Sequence, residues 1–316
     1  MRTGGLLGWV IALLAVTLVA GCGGGSEASG EVRLGGETER REAKTTTEPA
    51  PEAAAAPGRP ATTELIGDRA AVAFEAFAEG LSGEVGLTVG APGSPNSQRL
   101  GRLSSGVAWS TIKVAIAARV LQEAGGPKGL SGVQRRAMRS ALTASDNGAA
   151  DTLFGSLGSG DASAAASTQK VLRETGDTQT EVSAQGRDGF SPYGQTEWSL
   201  TEQHRFMARL AGKCVAGAAS SNYLLSLMGQ VVPDQQWGLG STGSPARFKG
   251  GWGPGAGGGY LVRQMGVIEV DGRSVVVTIA AEPSDGQFAS GTQMLTEVAG
   301  WVAENVDARA AEPAGC

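Results

Sequence analysis

The chain has 316 residues, with 26 basic and 31 acidic side chains and a formal net charge of −5 at pH 7. A mild acidic excess argues against nucleic acid as the main partner, because such a partner requires a basic patch. The single histidine argues against a histidine-rich metal centre. We therefore expect no metal and no cofactor, and a chain long enough for one large core or two packed lobes.

The first 63 residues have the composition of a leader and a tether. Residues 1–21 resemble a secretory signal peptide, with Arg2 followed by an apolar run. The run ends in the letters LVAGC, which resemble a bacterial lipobox and predict lipidation of Cys22. An ordinary signal peptide or an uncleaved anchor is the alternative. Residues 22–63 are too poor in large apolar side chains to fold, so we expect an extracytoplasmic domain tethered to the cell membrane.

Two cysteines follow the lipobox. Cys214 and Cys316 are far apart in sequence, and outside the cytoplasm they can form a disulfide or stay free. The sequence favours neither state. Cys316 ends a segment, residues 309–316, that we expect to be a mobile tail.

Residues 64–308 remain for the folded domain. Hydrophobic periodicity predicts these elements in chain order: a helix over 66–80, strands over 83–90 and 98–103, helices over 110–124, 132–143, 148–157, 163–174 and 200–213, strands from 246, over 259–270 and over 273–281, and a helix over 291–306. This order predicts an α/β fold of the two-lobed α+β kind. An antiparallel sheet is flanked by N- and C-terminal helices, an all-helical lobe is inserted, and a cleft lies between the lobes.

Two local signals support this order. Asp271-Gly272, between the last two strands, is a strong hairpin signal. Ser199 and Glu202 have the spacing of a capping box before the helix over 200–213.

The first chemical motif is S-x-x-K, formed by Ser110 and Lys113 at the start of an apolar helical run. Residues three apart share one face of a helix. An amine in that place can take the hydroxyl proton and make the serine a nucleophile. The motif is common, so its weight depends on the motifs that follow.

The second motif is Ser145-Asp146-Asn147 and the third is Lys249-Gly250-Gly251. Each has an ordinary explanation when taken alone. Ser, Asp and Asn are frequent helix caps between two helices, and a lysine before two glycines can be a surface turn.

Taken in order, the three motifs resemble the signature of class A β-lactamases and penicillin-binding proteins. The segments WSTIKVA around Ser110 and ALTASDNGAA around Ser145 resemble the corresponding family segments. The resemblance covers most of residues 64–308. It implies a β-lactamase- or transpeptidase-like fold and a monomeric serine hydrolase or acyltransferase. Its substrate would be a β-lactam or a peptidoglycan-like peptide.

The resemblance also implies catalytic roles. Ser110 would attack a carbonyl and form an acyl-enzyme, and Lys113 would be its base. Lys113 must be neutral to act, and burial and neighbouring cationic groups, of which Lys249 could be one, lower the pKa of a lysine. Ser145 would relay a proton to the leaving nitrogen.

The substrate would be bound by the remaining motif residues. Asn147 would hold a substrate amide, and Lys249 would attract a substrate carboxylate. Gly251 would let an extended substrate approach the strand closely. The backbone N–H groups of Ser110 and Trp252 would form the oxyanion hole.

Two departures from the family pattern bear on turnover. Gly250 stands where the family has a serine or threonine, whose hydroxyl binds the substrate carboxylate. No E-x-x-L-N pattern occurs between residues 187 and 198, where the family has the glutamate that activates the deacylating water. Glu181 and Glu197 are imperfect substitutes. The alternative is therefore a catalytically weak or inactive lipoprotein of this fold that binds cell-wall peptide or a protein partner.

Three further residues invite a functional interpretation. His204 is predicted on a polar helix face, and we do not expect it to form a triad with Ser110 because Lys113 already supplies a base. Trp237 is predicted to be a packing residue, and Tyr193 to line the cleft.

Overall fold

The computed structural model describes residues 64–255 and 257–316 of the chain. The predicted signal peptide over 1–21, the lipidation site at Cys22 and the tether over 22–63 lie outside these residues. Within the described part, no helix is both long enough and apolar enough to cross a membrane.

The elements follow the predicted order. The described residues form helices α1 Asp68–Glu79, α2 Lys113–Glu123, α3 Gly132–Thr143, α4 Asn147–Gly155, α5 Asp161–Glu174, α6 Leu200–Ala211, α7 Gly217–Met228 and α8 Phe288–Asn305, and strands β1 Gly83–Gly90, β2 Ser97–Gly101, β3 Ala246–Pro254, β4 Tyr260–Val270 and β5 Arg273–Pro283. Helix α7 is an addition that the sequence did not predict. The helix predicted from residue 110 is split into a 3₁₀ turn, Trp109–Ile112, and α2.

The five strands form one antiparallel sheet in the order β2-β1-β5-β4-β3. The β4–β5 hairpin turns at Asp271 and Gly272, whose φ angles are 49° and 72°. Two successive positive φ angles suit a short hairpin turn, so this signal was interpreted correctly. Strand β3 lies at the edge of the sheet and therefore has one side without a strand neighbour.

Apolar side chains cover both faces of the sheet and divide the fold into two lobes. On one face, α8 buries Leu295, Val298 and Val302 among the side chains of the strands. On the other face lies the inserted helical block, with α2 at its centre, touching α3, α4, α5 and α7. This is the predicted two-lobed arrangement.

The C-terminal segment is not the free tail that we expected. Cys214 and Cys316 form a disulfide, with their Cα atoms 5.4 Å apart. The backbone N–H of Ala314 also donates to the carbonyl of Pro92 at 2.9 Å. These contacts hold the chain end against the domain.

Two smaller expectations on α6 need correction. The Ser199 hydroxyl accepts from the N–H of Glu202 at 3.1 Å, but the Glu202 carboxylate pairs with Arg205 instead of completing the capping box. His204 is buried, not on a polar face, because that side of α6 packs against the sheet.

Candidate active site

The segment around Ser110 is fixed from two sides. The N–H of Ala108 donates to the Thr196 carbonyl at 2.7 Å. From β4, the buried Arg263 guanidinium donates to the carbonyls of Gly106 and Trp198 at 2.6 and 2.9 Å. The turn that carries Ser110 is therefore tied to both the sheet and the segment before α6.

The local backbone presents Ser110 and Lys113 on one side. Ser110 lies in the 3₁₀ turn and Lys113 is the first residue of α2. Side chains three residues apart eclipse in a 3₁₀ turn, which suits the S-x-x-K spacing better than a regular helix. Trp109, directly before Ser110, has a φ of 49°. A bulky residue in the left-handed region is a strained arrangement that the surrounding packing must hold.

Lys113 connects the first motif to the second. Its Nζ donates to the backbone carbonyl of Ser145 at 2.6 Å and to the Asn147 Oδ1 at 2.7 Å. The Ser110 hydroxyl has no hydrogen-bond partner among the residues that the structure describes, and it faces the cleft. The nucleophile proposed from the sequence is thus accessible, and its proposed base is anchored.

The second motif begins α4. Asp146 is the N-cap residue, and its carboxylate accepts from the N–H of Ala149 at 2.8 Å. Ser145 has a φ of 59°, a conformation that serine seldom adopts. This backbone turns the Ser145 carbonyl toward Lys113 and its hydroxyl toward Lys249.

Lys249 connects the third motif to the second. Its Nζ donates to the Ser145 Oγ at 2.8 Å and to the Gly250 carbonyl at 2.7 Å. Lys249 exposes 1% of its surface and does not line the cleft. Its amine therefore contacts the cleft-lining residue Ser145 without lining the cleft itself.

Burial controls the charge of both lysines. Desolvation lowers the pKa of Lys113 to about 8, although Asp151 and Asp146 oppose the shift. Desolvation and the nearby Lys113 cation lower the pKa of Lys249 well below its usual value. Of the two causes expected to lower the Lys113 pKa, burial is the larger.

Gly251 lets β3 contact the 3₁₀ turn that carries Ser110. A Cβ atom at this position would lie 2.9 Å from the Ala108 carbonyl oxygen and 3.0 Å from the Ser110 backbone nitrogen. Any side chain would force the strand away from Ser110. The next residue, Trp252, lines the cleft, so the two backbone N–H groups proposed for the oxyanion hole belong to segments in contact.

Gly250 is explained by the packing of Trp237. A Cβ atom at Gly250 would lie 3.1 Å from the Trp237 ring. Gln264 lies opposite Gly250 on β4. Both ends of its side-chain amide are already hydrogen-bonded, since the amide nitrogen donates to the Trp237 carbonyl and the amide oxygen accepts from the N–H of Leu239. Trp237 is thus a packing residue, as predicted, and it fills the space beside Gly250.

The cleft has a volume of about 680 Å³. It is lined by the site residues Ser110, Lys113, Ser145, Asn147 and Trp252, together with Tyr193, as expected. Sequence reasoning missed two carboxylates in its wall, Asp151 and Asp161. Neither Glu181 nor Glu197 is among the described residues that line the cleft. The spacing could have revealed Asp151, which lies four residues after Asn147 on a predicted helix.

Aromatic side chains form the mouth of the cleft. The rings of Trp109 and Phe190 meet edge to face at 5.2 Å. The Arg187 guanidinium lies 4.6 Å from the Phe190 ring centre and donates to the Pro254 carbonyl. Arg187 thereby joins the loop before α6 to the end of β3.

The described residues contain no group of three or more His, Cys, Asp or Glu side chains placed to hold a metal ion. The arrangement that they do form is a buried amine beside an accessible serine, with a second serine held by a second buried amine. Such a set can activate a hydroxyl and pass a proton without a metal ligand set.

Comparison with solved structures identifies the fold. Class A β-lactamases superimpose on this chain over nearly their whole length. An ancestral class A β-lactamase matches with a TM-score of 0.57 at 19% identity, covering 74% of this chain and 99% of its own. A β-lactamase from Xanthomonas campestris pv. campestris matches with a TM-score of 0.59 at 18% identity, covering 75% of this chain and 97% of its own. A β-lactamase from Streptosporangium roseum matches with a TM-score of 0.58 at 16% identity, covering 75% of this chain and 98% of its own.

The described part of the chain therefore has the β-lactamase fold, as the motifs implied. No protein-family model matches the sequence, and no curated protein matches it. At these identities the likeness establishes the architecture, and the chemistry must be argued from this chain's own residues.

Proposed function

We propose that this chain is a serine hydrolase or acyltransferase of the β-lactamase and penicillin-binding type. Ser110 attacks the carbonyl carbon of a β-lactam or a peptidoglycan-like peptide and becomes acylated. Lys113 takes the Ser110 proton as the neutral amine. Ser145, held by Lys249, passes a proton to the leaving nitrogen.

Binding in this proposal uses the other motif residues. Asn147 holds a substrate amide, and the N–H groups of Ser110 and Trp252 stabilise the oxyanion. Gly251 allows strand β3 to approach the turn that carries Ser110, since a Cβ atom there would meet that turn. Lys249 does not contact the substrate carboxylate itself; it supports carboxylate binding indirectly, by holding the Ser145 hydroxyl.

One observation supports this proposal more strongly than any other observation does. Residues 110, 113, 145, 147 and 249 come from three separate segments. Lys113 donates to Asn147 and to the Ser145 carbonyl, Lys249 donates to the Ser145 hydroxyl, and Ser110 lines the same cleft as Lys113, Ser145 and Asn147. A protein that only bound a ligand would have no need of two buried amines there, since burying an amine is costly.

The proposed location follows from the N-terminal segment. Lipid on Cys22 anchors the protein to the cell membrane, and the tether over 22–63 holds the domain outside the cytoplasm. The domain acts as a monomer, and its partners are the membrane and the substrate, with no nucleic acid.

The second candidate is a catalytically weak member of the same fold that binds cell-wall peptide or a protein. The packing of Trp237 against Gly250 favours it, because a Cβ atom there would lie 3.1 Å from the Trp237 ring and the ring would have to shift to admit the family's hydroxyl-bearing side chain. A charged substrate loses one hydrogen bond there, a loss of about 1.5–3 kcal/mol.

Covalent labelling distinguishes the two candidates. The full-length protein is exposed to a fluorescent penicillin, beside the variants Ser110→Ala and Ser191→Ala. Ser191 lines the same cleft and is the matched control. We expect the label to be lost only in Ser110→Ala. A folded protein that takes no label, or a Ser110→Ala variant that labels normally, would refute the acyl-enzyme proposal.

A further inference from the structure

Release of an acyl group from Ser110 requires a water molecule and a base to take its proton. The two glutamates considered from the sequence are badly placed for this. Glu197 accepts from the Ser105 hydroxyl and pairs with Val107 in a short bridge, outside the cleft wall. Glu181 is exposed and also outside the described wall.

Asp151 is well placed. It lies on α4, four residues after Asn147, and both side chains line the cleft. Residues four apart on a helix have their Cβ atoms about 5–6 Å apart on one face. Since the Asn147 Oδ1 accepts from Lys113, Asp151 lies one helical turn from a residue that holds the catalytic amine.

The Asp151 carboxylate is held in one orientation. The Tyr193 hydroxyl donates to its Oδ1 at 2.7 Å. Tyr193 is itself almost fully buried and packs on Phe154, with the ring centres 4.9 Å apart. Among the described residues the Asp151 Oδ2 has no protein partner, so it is available to a water molecule in the cleft. Asp151 is also the first of the charges that favour the protonated form of Lys113.

We propose that Asp151 is the general base that releases the acyl group, with Tyr193 as a positioning residue. This inference rests on the proposed function, because it needs an acylated Ser110. Asp151 takes a proton from water while the water oxygen bonds to the acyl carbon. The tetrahedral intermediate then collapses, the bond from carbon to the Ser110 Oγ breaks, and the proton returns to that oxygen. The products are a carboxylic acid and free serine.

The test separates release from acylation. Full-length wild type, Asp151→Asn and Asp161→Asn are labelled with the fluorescent penicillin, excess reagent is removed, and loss of bound label is followed over time. Asp161 is the matched control, since it lines the same cleft at the start of α5 and its carboxylate has no hydrogen-bond partner among the described residues. Asparagine can still accept from Tyr193, so the Asp151→Asn variant should fold.

We expect Asp151→Asn to label at least as fast as wild type and to release the label about 10²–10⁴-fold more slowly. Asp161→Asn should match wild type in both steps. Tyr193→Phe should slow release less than Asp151→Asn does, with labelling unchanged. A structural role of Asp151 would slow labelling and release together.

Three results would overturn the inference. The first is an Asp151→Asn variant that releases label at the wild-type rate. The second is an Asp161→Asn variant whose rate of label release falls as much as that of Asp151→Asn. The third is a wild type that labels and never releases. Failure of wild type to label at all would instead refute the proposed function, and this inference would fall with it.

Discussion

The Nζ of Lys249 lies 2.8 Å from the Oγ of Ser145, although 104 residues separate them in the chain. The contact joins the edge strand of the sheet to the loop that starts α4, across the boundary between the two lobes. It places a buried amine behind a hydroxyl that faces the cleft. In the proposed mechanism a substrate would contact Ser145, which in turn contacts Lys249.

Replacing Lys249 tests this arrangement. In Lys249→Met the side chain keeps about the same length, but the Ser145 hydroxyl and the Gly250 carbonyl lose their donor. We expect the rate of labelling by penicillin to fall about 3–10-fold, which corresponds to the loss of one hydrogen bond of about 0.5–1.5 kcal/mol. Lys128→Met, at an exposed position, is the control. Equal labelling rates in the two variants would show that Lys249 has no part in acylation.

The pKa of Lys113 predicts how acylation depends on pH. Because this pKa is about 8 and the neutral amine is the base, the reactive fraction falls about tenfold for each pH unit below 8. The rate of labelling should therefore rise from pH 6 to pH 8 and level off above that. Lys113→Arg should not label, since a guanidinium stays protonated throughout this range. A rate that is constant from pH 6 to pH 9 would contradict the role of Lys113.

Gly251→Ala tests the contact between β3 and the 3₁₀ turn that carries Ser110. The new methyl group would meet the Ala108 carbonyl oxygen at 2.9 Å and must push the strand away from Ser110. Loss of one oxyanion donor costs about 10²–10³-fold in rate, and we expect a decrease of that size in labelling. Gly300→Ala is the control, because a Cβ atom there has nothing within 4 Å. Unchanged labelling in Gly251→Ala would exclude an oxyanion hole at this contact.

His204 should make stability depend on pH. Burial lowers its pKa to about 4, so the unfolded chain binds a proton between pH 6.5 and pH 4 that the folded chain does not. Stability therefore decreases as pH falls through this window. Between pH 6.5 and pH 5 the loss is about 2 kcal/mol.

Urea unfolding at these two pH values measures the effect. His204→Gln cannot titrate, so its free energy of unfolding should change less with pH than that of wild type, by about 2 kcal/mol. The acidic groups titrate in both proteins and cancel in the comparison. Equal pH dependence of wild type and His204→Gln would show that His204 does not titrate in this way.

Much of the fold could be predicted because its elements have clear local signals. The bounds Gly83–Gly90 and Gly132–Thr143 agree with the expected strand and helix. Helix α7 was missed because it lacks a side-chain cap and begins after Ala216, whose φ of 52° no sequence rule predicts.

The site was only partly predictable for a different reason. The motif residues were visible as patterns, but the burial of Lys249 depends on how the sheet and the helical lobe meet. The same is true of Trp237, which fills the space beside Gly250 from a distant segment. Asp151 carried a local signal, its spacing from Asn147, but its contact with Tyr193 depends on the path of a loop 42 residues away.

Acylation of Ser110 can be read directly by mass spectrometry. The full-length protein is incubated with benzylpenicillin, its intact mass is measured, and the modified peptide is sequenced. We expect a mass increase equal to one penicillin molecule, located on Ser110 and missing in Ser110→Ala. A folded wild-type protein with no adduct, or with the adduct on another residue, would contradict it.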